Sequence, residues 1–209
     1  MDFKNVKKQI LQANDLSKKG SIDEPIRYLI TFINELDDYV TTSSCSGRAI
    51  LYTTSYGCEV GHKKSKKDCK WLYLSHDSID PDEFISKVDP TVGDLLFKFE
   101  PFILHIQCSK LEKAKQLHTI AVGAGFRESG LTVGKHGKIM LAIRSNLRLE
   151  VPLSQDSVML VSDVYLKFLA DQANEKLEIN QRNIKHFFII LKETFSNTQK
   201  IGSDITMSN

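Results

Sequence analysis

The sequence predicts an α/β (α+β) fold: one domain over residues 1–197, built on a mixed, largely antiparallel sheet, flanked by helices and completed by a long C-terminal helix, with a polar tail at 198–209. Three observations point there. Short segments with strand-like patterning crowd the middle of the chain, as where Leu95, Phe97 and Phe99 alternate with Leu96, Lys98 and Glu100. Stripes of helical period stand at both ends. Gly123-Ala124-Gly125 closes a helical pattern instead of joining a strand to a helix, so the glycine fingerprint of a dinucleotide-binding sheet is missing.

Each element has its own signal. Phe3, Val6, Ile10 and Leu11 recur at helical spacing and give a first helix ending near 14–15. A polar loop follows, in which Ser21 with Glu24 has the form of a capping box and Pro25 suits a first helical turn. Ile26, Leu29, Ile30 and Ile33 mark a second helix. Strands are expected at 39–44, 49–54 and 69–74, then a short helix at 81–88. The alternating strand at 95–100 is broken by Pro101, and the nearly continuous apolar run 102–108 reads as a central strand. Ser109 with Glu112 forms a second capping-box pattern, opening a helix that Gly123 and Gly125 close. Strands are expected at 126–133, 138–145 and 147–153. The last two read as a hairpin with an odd turn at Ser145-Asn146-Leu147, placing Lys138, Arg144, Arg148 and Glu150 on one side of a sheet. From 162 to 197, Tyr165, Phe168, Leu169, Ala173, Leu177, Ile184, Phe188, Leu191 and Phe195 keep an apolar stripe.

Composition narrows the function classes. Of 209 residues, 41% are hydrophobic, which is enough to build a core. No apolar run reaches the length of about 18 residues that a membrane span needs. Met1-Asp2-Phe3-Lys4 shows no apolar signal region, and the four cysteines are not closely paired, so a reducing, cytoplasmic setting is expected. Net charge is +2, so contact with nucleic acid must come from local clustering. The densest cluster is His62-Lys63-Lys64-Ser65-Lys66-Lys67, readable as a solvated loop or as a phosphate contact.

Four segments carry more chemistry than architecture needs. The first is Lys19-Gly20-Ser21-Ile22-Asp23, with helix capping as its plain reading. The second is Ser43-Ser44-Cys45-Ser46-Gly47-Arg48, where hydroxyls, a thiol, a glycine and a guanidinium suit an anion. The third is Lys98-Phe99-Glu100-Pro101-Phe102-Ile103-Leu104-His105. A carboxylate at a strand end suits a cleft, whereas a histidine within an apolar run is more often a hydrogen-bonded core residue. The fourth runs from Gly125 to Lys135, with Arg127, Ser129 and Gly130, and is followed by Arg144-Ser145; charged strand edges are its plain reading. His118 lies on the apolar face of its helix and reads as structural. Cys58, His62, Cys69 and His76 lack the close pairing of a zinc site, so no metal is expected, and Cys45 is a candidate nucleophile without a histidine neighbour in sequence.

Taken together and in order, these segments, with Met140-Leu141-Ala142-Ile143-Arg144-Ser145 and Leu149-Glu150-Val151-Pro152-Leu153, resemble the tRNA wybutosine-synthesizing protein 3 family over about residues 5 to 195. The resemblance implies an enzyme that methylates, with S-adenosyl-L-methionine, the N4 ring nitrogen of 7-(3-amino-3-carboxypropyl)-4-demethylwyosine beside the anticodon of tRNA(Phe). It also implies a fold other than the Rossmann-type methyltransferase sheet. Under it, Glu100 is the first candidate for a catalytic carboxylate and His105 the second. Lys19, Ser21 and Asp23 would meet cofactor or base from one loop, and Ser43, Ser44, Cys45, Gly47 and Arg48 would hold the base or a carboxylate. Arg127, Ser129, Arg144 and Glu150 would form an opposite wall, with Gly130 and Ser145 also binding cofactor or substrate. Two other readings remain at this point: a non-catalytic tRNA-binding subunit or chaperone, and a hydrolase using Cys45. The lysine-rich loop lies outside the family pattern.

Overall fold

The computed structural model describes residues 2–13, 21–54 and 69–206, which fall into two compact units. The first comprises Met1–Ser46, Phe102–Asn146 and Gln181–Asn209. Its four-stranded sheet has the order β1 (Tyr39–Cys45), β5 (Ile103–Cys108), β7 (Ile139–Arg144), β6 (Gly130–Val133), antiparallel throughout. Helices α1 (Phe3–Gln12), α2 (Arg27–Glu35) and α4 (Leu111–Gly123) complete it, with the C-terminal part of α5 (Asp163–Thr206). One face of β5 supplies Leu104, Ile106 and Cys108 to a core shared with Leu29 and Ile33 of α2, Leu117 of α4 and Phe187 of α5. Alternation in a half-polar strand places one set of side chains there and the other set opposite.

The second unit comprises Gly47–Pro101 and Leu147–Asn180. Its sheet runs β3 (Cys69–Ser75), β2 (Arg48–Thr54), β4 (Asp94–Glu100), β8 (Leu149–Pro152), again antiparallel. The short helix α3 (Pro81–Ser86) and the two-residue strands β9 (Ser154–Gln155) and β10 (Val158–Met159) belong to this unit. The expected alternation in β4 is present: Leu95, Phe97 and Phe99 are buried in a core with Leu51, Phe84 and the Leu166 side of α5, while Lys98 and Glu100 face the other way. Among the described residues no helix is long and apolar enough to cross a membrane.

The predicted elements are present, and β5 is central as expected, but several local readings change. The strands at 138–145 and 147–153 form no hairpin. β7 pairs with β5 and β6, whereas β8 pairs with β4, and 145–148 carry no ladder. Alternation states which side chains share a face and leaves the partner strand open. Lys138, Arg144, Arg148 and Glu150 therefore do not share one sheet. Neither capping box forms. The position before the turn Glu24–Ile26 is Asp23, and Ser21 is exposed. The position before α4 is Lys110, because the Ser109 hydroxyl donates to Asp38 Oδ1, 71 residues away. The expected strand at 126–133 begins only at Gly130, since Phe126 is buried against Phe102 and Phe187. Helix α5 continues to Thr206, past the expected boundary at 197.

Candidate functional site

The non-core face of the first unit's sheet gathers Ser43, Cys45, His105, Gly130 and Arg144. The ladder aligns Ser43, His105, Ala142 and Gly130 in one row across β1, β5, β7 and β6, and Cys45, Ile103 and Arg144 in the next. Directly opposed residues on neighbouring strands project to the same face. The alignment depends on a bulge in β1 between Thr41 and Ser43. Before the bulge, Asn34 of α2 grips the strand: its Oδ1 accepts the Thr41 N–H at 2.8 Å and its Nδ2 donates to Thr41 Oγ1 at 2.9 Å. Within it, the Thr42 hydroxyl donates to the His105 carbonyl at 3.2 Å. A bulge re-aims the residues after it, and here Ser43 Oγ comes to 2.9 Å from His105 Nδ1. Burial, and then the positive charge of Arg144, lower the His105 pKa.

Other members of this unit support that face or lie apart from it. The Ser129 hydroxyl accepts the Arg144 N–H at 3.2 Å, and its carbonyl accepts a hydrogen bond from His118 Nε2 at 3.1 Å, which agrees with the structural reading of His118. Buried Asp23 accepts the Ser46 N–H on Oδ2 at 2.8 Å, tying its loop to the end of β1. Ser44 pairs with Leu104 and so shares the opposite face. Arg127 is exposed, Ser145 is buried, and Lys19 lies outside the described residues. An open groove lined by Arg27, Tyr28, Phe32 and Phe188 includes none of the candidates.

The second unit gathers Arg48, Glu100 and Glu150 on the non-core face of its own sheet, beside Lys98. Arg48 sits opposite Glu100, and Lys98 opposite Glu150. Arg48 donates through Nε (2.9 Å) and Nη2 (2.8 Å) to Glu100 Oε2. Lys98 Nζ lies 3.5 Å from Glu100 Oε1 and 3.4 Å from Glu150 Oε2. Burial pulls the Lys98 pKa down, yet the two carboxylates outweigh it and the net direction is up. The Arg48 guanidinium stands over the Trp71 ring, 5.1 Å from its centroid, and Tyr52 is the strand neighbour of Trp71. Gly47 takes φ +106°, and a Cβ there would come within 2.8 Å of Asn180 Nδ2 and 3.3 Å of the Glu100 carbonyl oxygen. Glycine is thus required by backbone and by space. His76 Nδ1 donates to the Gly47 carbonyl at 3.0 Å. Of the weak zinc set, Cys58 and His62 lie outside the described residues, as does the 62–67 loop.

Tyr52 and Trp71 are not singled out from sequence, and Lys98 enters there only as the start of the Lys98–His105 segment. The signal is there for Lys98, which shares the alternating register of Glu100, and for Trp71, the chain's single tryptophan, which follows Lys70 on its strand.

Known proteins supply the class. The family model described as Methyltransferase TYW3 matches residues 4–193, so the molecule is a methyltransferase and works with a methyl donor. The chain belongs to that family. It is 48% identical over 185 residues to the tRNA wybutosine-synthesizing protein 3 homolog of Danio rerio, covering 88% of this chain and 72% of the relative. The Homo sapiens homolog of the same name is 42% identical over 201 residues, covering 94% and 76%. Among solved structures, the PH1069 protein from Pyrococcus horikoshii superposes with a TM-score of 0.75 at 31% identity, over 90% of this chain and 94% of that one. The two antiparallel sheets and this relationship agree with the expected non-Rossmann fold.

Proposed function

We propose that the protein methylates the N4 ring nitrogen of 7-(3-amino-3-carboxypropyl)-4-demethylwyosine beside the anticodon of tRNA(Phe), using S-adenosyl-L-methionine, in the cytoplasm. Family membership supports the reaction class, and the printed names of the relatives support a tRNA of the wybutosine pathway. The observation that carries a mechanism is the Ser43–His105 pair.

When bound, the cofactor supplies an electrophilic methyl group on a sulfonium. The acceptor is a ring N–H, so forming the new N–C bond releases a proton that a positioned base takes up. His105 suits that task. Its lowered pKa keeps the ring neutral near neutral pH. If Nδ1–H donates to Ser43 Oγ, the lone pair of Nε2 is left to accept the proton. Ser43 then fixes tautomer and ring orientation, as second partners of catalytic histidines do. Such a base contributes roughly 10²- to 10⁴-fold. The residues also fit a cofactor that carries a carboxylate. On the second unit's sheet Arg48, held through Nε and Nη2 by Glu100, supplies a positive charge for a carboxylate, so Glu100 acts as the residue that orients Arg48. The acceptor base is taken out of its stack, as chemistry on a base requires.

The test incubates the protein with labelled S-adenosyl-L-methionine and tRNA(Phe) bearing the unmethylated precursor, followed by mass analysis of the released nucleoside. A gain of one methyl group on the tricyclic base is expected. Tight tRNA binding with no methyl gain would sink the catalytic reading in favour of a binding subunit.

A further inference from the structure

The second unit's sheet carries a zigzag row of charges of alternating sign over two neighbouring ladder positions: Arg48 and Glu100, then Lys98 and Glu150. Two partly exposed side chains of the same unit, Trp71 and Leu74, lie on β3, with Tyr52 beside Trp71 in the ladder. We infer that this row, together with Trp71 and Tyr52, recognises an α-amino-acid zwitterion carried on a planar heterocycle.

The charge order selects the ligand. A phosphate or other simple anion placed on the row would meet Glu100 and Glu150 as well as the cations. A zwitterion meets opposite charge with both of its ends. Its carboxylate is matched by Arg48 or Lys98 and its ammonium by the two glutamates. Lys98 Nζ stands 3.4 Å from Glu150 Oε2 and 3.5 Å from Glu100 Oε1, so its charge is shared between the two carboxylates. The aromatic part answers the second half of the ligand. Trp71 is 37% exposed, with a guanidinium already over its ring, and such aromatic and arginine planes stack on nucleobases.

The inference rests on the proposed reaction, under which two molecules share this chemistry. One is the methyl donor, an adenine with a methionine group. The other is the substrate base, a tricycle with an aminocarboxypropyl chain. Trp71 is the only tryptophan of the chain, so its emission reports on the row without a label.

The full-length protein is titrated with S-adenosyl-L-methionine, S-adenosylhomocysteine, adenosine and methionine, and separately with tRNA(Phe) carrying or lacking the aminocarboxypropyl chain. Saturable quenching by the cofactor and its product assigns the row to the donor. Quenching only by tRNA that carries the chain assigns it to the substrate. In either case Lys98→Met weakens that ligand by about ten- to hundredfold, the range for hydrogen bonds to charged groups. Calorimetry with Trp71→Leu, which keeps apolar bulk without a stacking plane, shows the same loss independently of fluorescence. Quenching by adenosine as strong as by the amino-acid-bearing ligands would overturn the zwitterion assignment. So would unchanged affinity for cofactor and tRNA in Lys98→Met and Trp71→Leu. If the wild type methylates tRNA while both variants bind normally, the inference fails and the reaction stands. If the wild type quenches with cofactor but never methylates, the reaction fails and the recognition site stands.

Discussion

Under the proposed mechanism, His105 is the side chain whose protonation state matters most on the first unit's sheet. Burial first, and the nearby Arg144 charge second, disfavour the imidazolium, so the neutral ring persists to lower pH than in an ordinary histidine at about 6.5. The rate as kcat/KM is therefore expected to be flat above that value and to fall on an acid limb below it. Arg144→Gln removes one of the two causes and should move the limb upward, as read from pH–rate profiles of the two proteins. A limb unmoved by Arg144→Gln and lost in His105→Gln would leave burial as the sole cause. A limb retained in His105→Gln would remove His105 as the base. The same shift sets the sign of the stability term. A histidine with a depressed folded pKa contributes stability that is present above the unfolded value and is lost as pH falls through the folded one. Arg48 makes a second prediction at this scale. Lysine cannot give two N–H groups to one carboxylate oxygen or lie flat on Trp71, so Arg48→Lys should behave as a loss rather than a conservative change. A drop of about tenfold or more in kcat/KM is expected, the scale of one charge-assisted hydrogen bond.

At the scale of elements, the end of β1 and the start of β2 each depend on a residue that is also a candidate ligand contact. Gly47 holds a positive φ beside Asn180, and Asp23 takes the Ser46 N–H in a buried position. Gly47→Ala meets both a disfavoured backbone region, at about 1–2 kcal/mol, and a 2.8 Å approach, so a cost above that range is expected in urea unfolding. Asp23→Ala leaves a buried N–H without its acceptor and should cost about 1–3 kcal/mol by the same measurement. If either variant keeps wild-type stability, the corresponding contact is not structural. The elements themselves were legible because alternation and helical period are local. The buried set Leu95, Phe97 and Phe99 can be read directly from the string. The non-local choices were not. Nothing local says that Ser109 prefers Asp38 to its own helix, that β7 and β8 join different sheets, or that a bulge turns Ser43 toward His105. Candidate residues could thus be named by chemistry, while their grouping into a Ser43–His105–Arg144 face and an Arg48–Glu100–Lys98–Glu150 row needed the ladders.

At the scale of the molecule, each unit has its own sheet and its own apolar core, so each has its own most sensitive position. In the second unit Phe97 is fully buried and packs its ring 4.6 Å from that of Phe84. In the first, Phe187 is fully buried 5.7 Å from Phe126. Truncating either to alanine removes a large ring from a filled interior, which costs about 3–5 kcal/mol through lost burial and the cavity left behind. The two changes are read with different probes. Trp71 lies in the second unit, so Phe97→Ala is expected to lower the urea midpoint read by its emission. Phe187→Ala lies on α5 within the first unit and is expected to lower the midpoint read by far-ultraviolet circular dichroism. Each loss should appear as a shifted midpoint with an unchanged slope, because neither substitution alters how much surface the unfolded chain exposes. A Trp71 transition that stays put in Phe97→Ala would mean that the β2–β4 core does not hold the aromatic edge on β3. The stacking site inferred there would then lack the rigid support it needs to present Trp71 to a ligand.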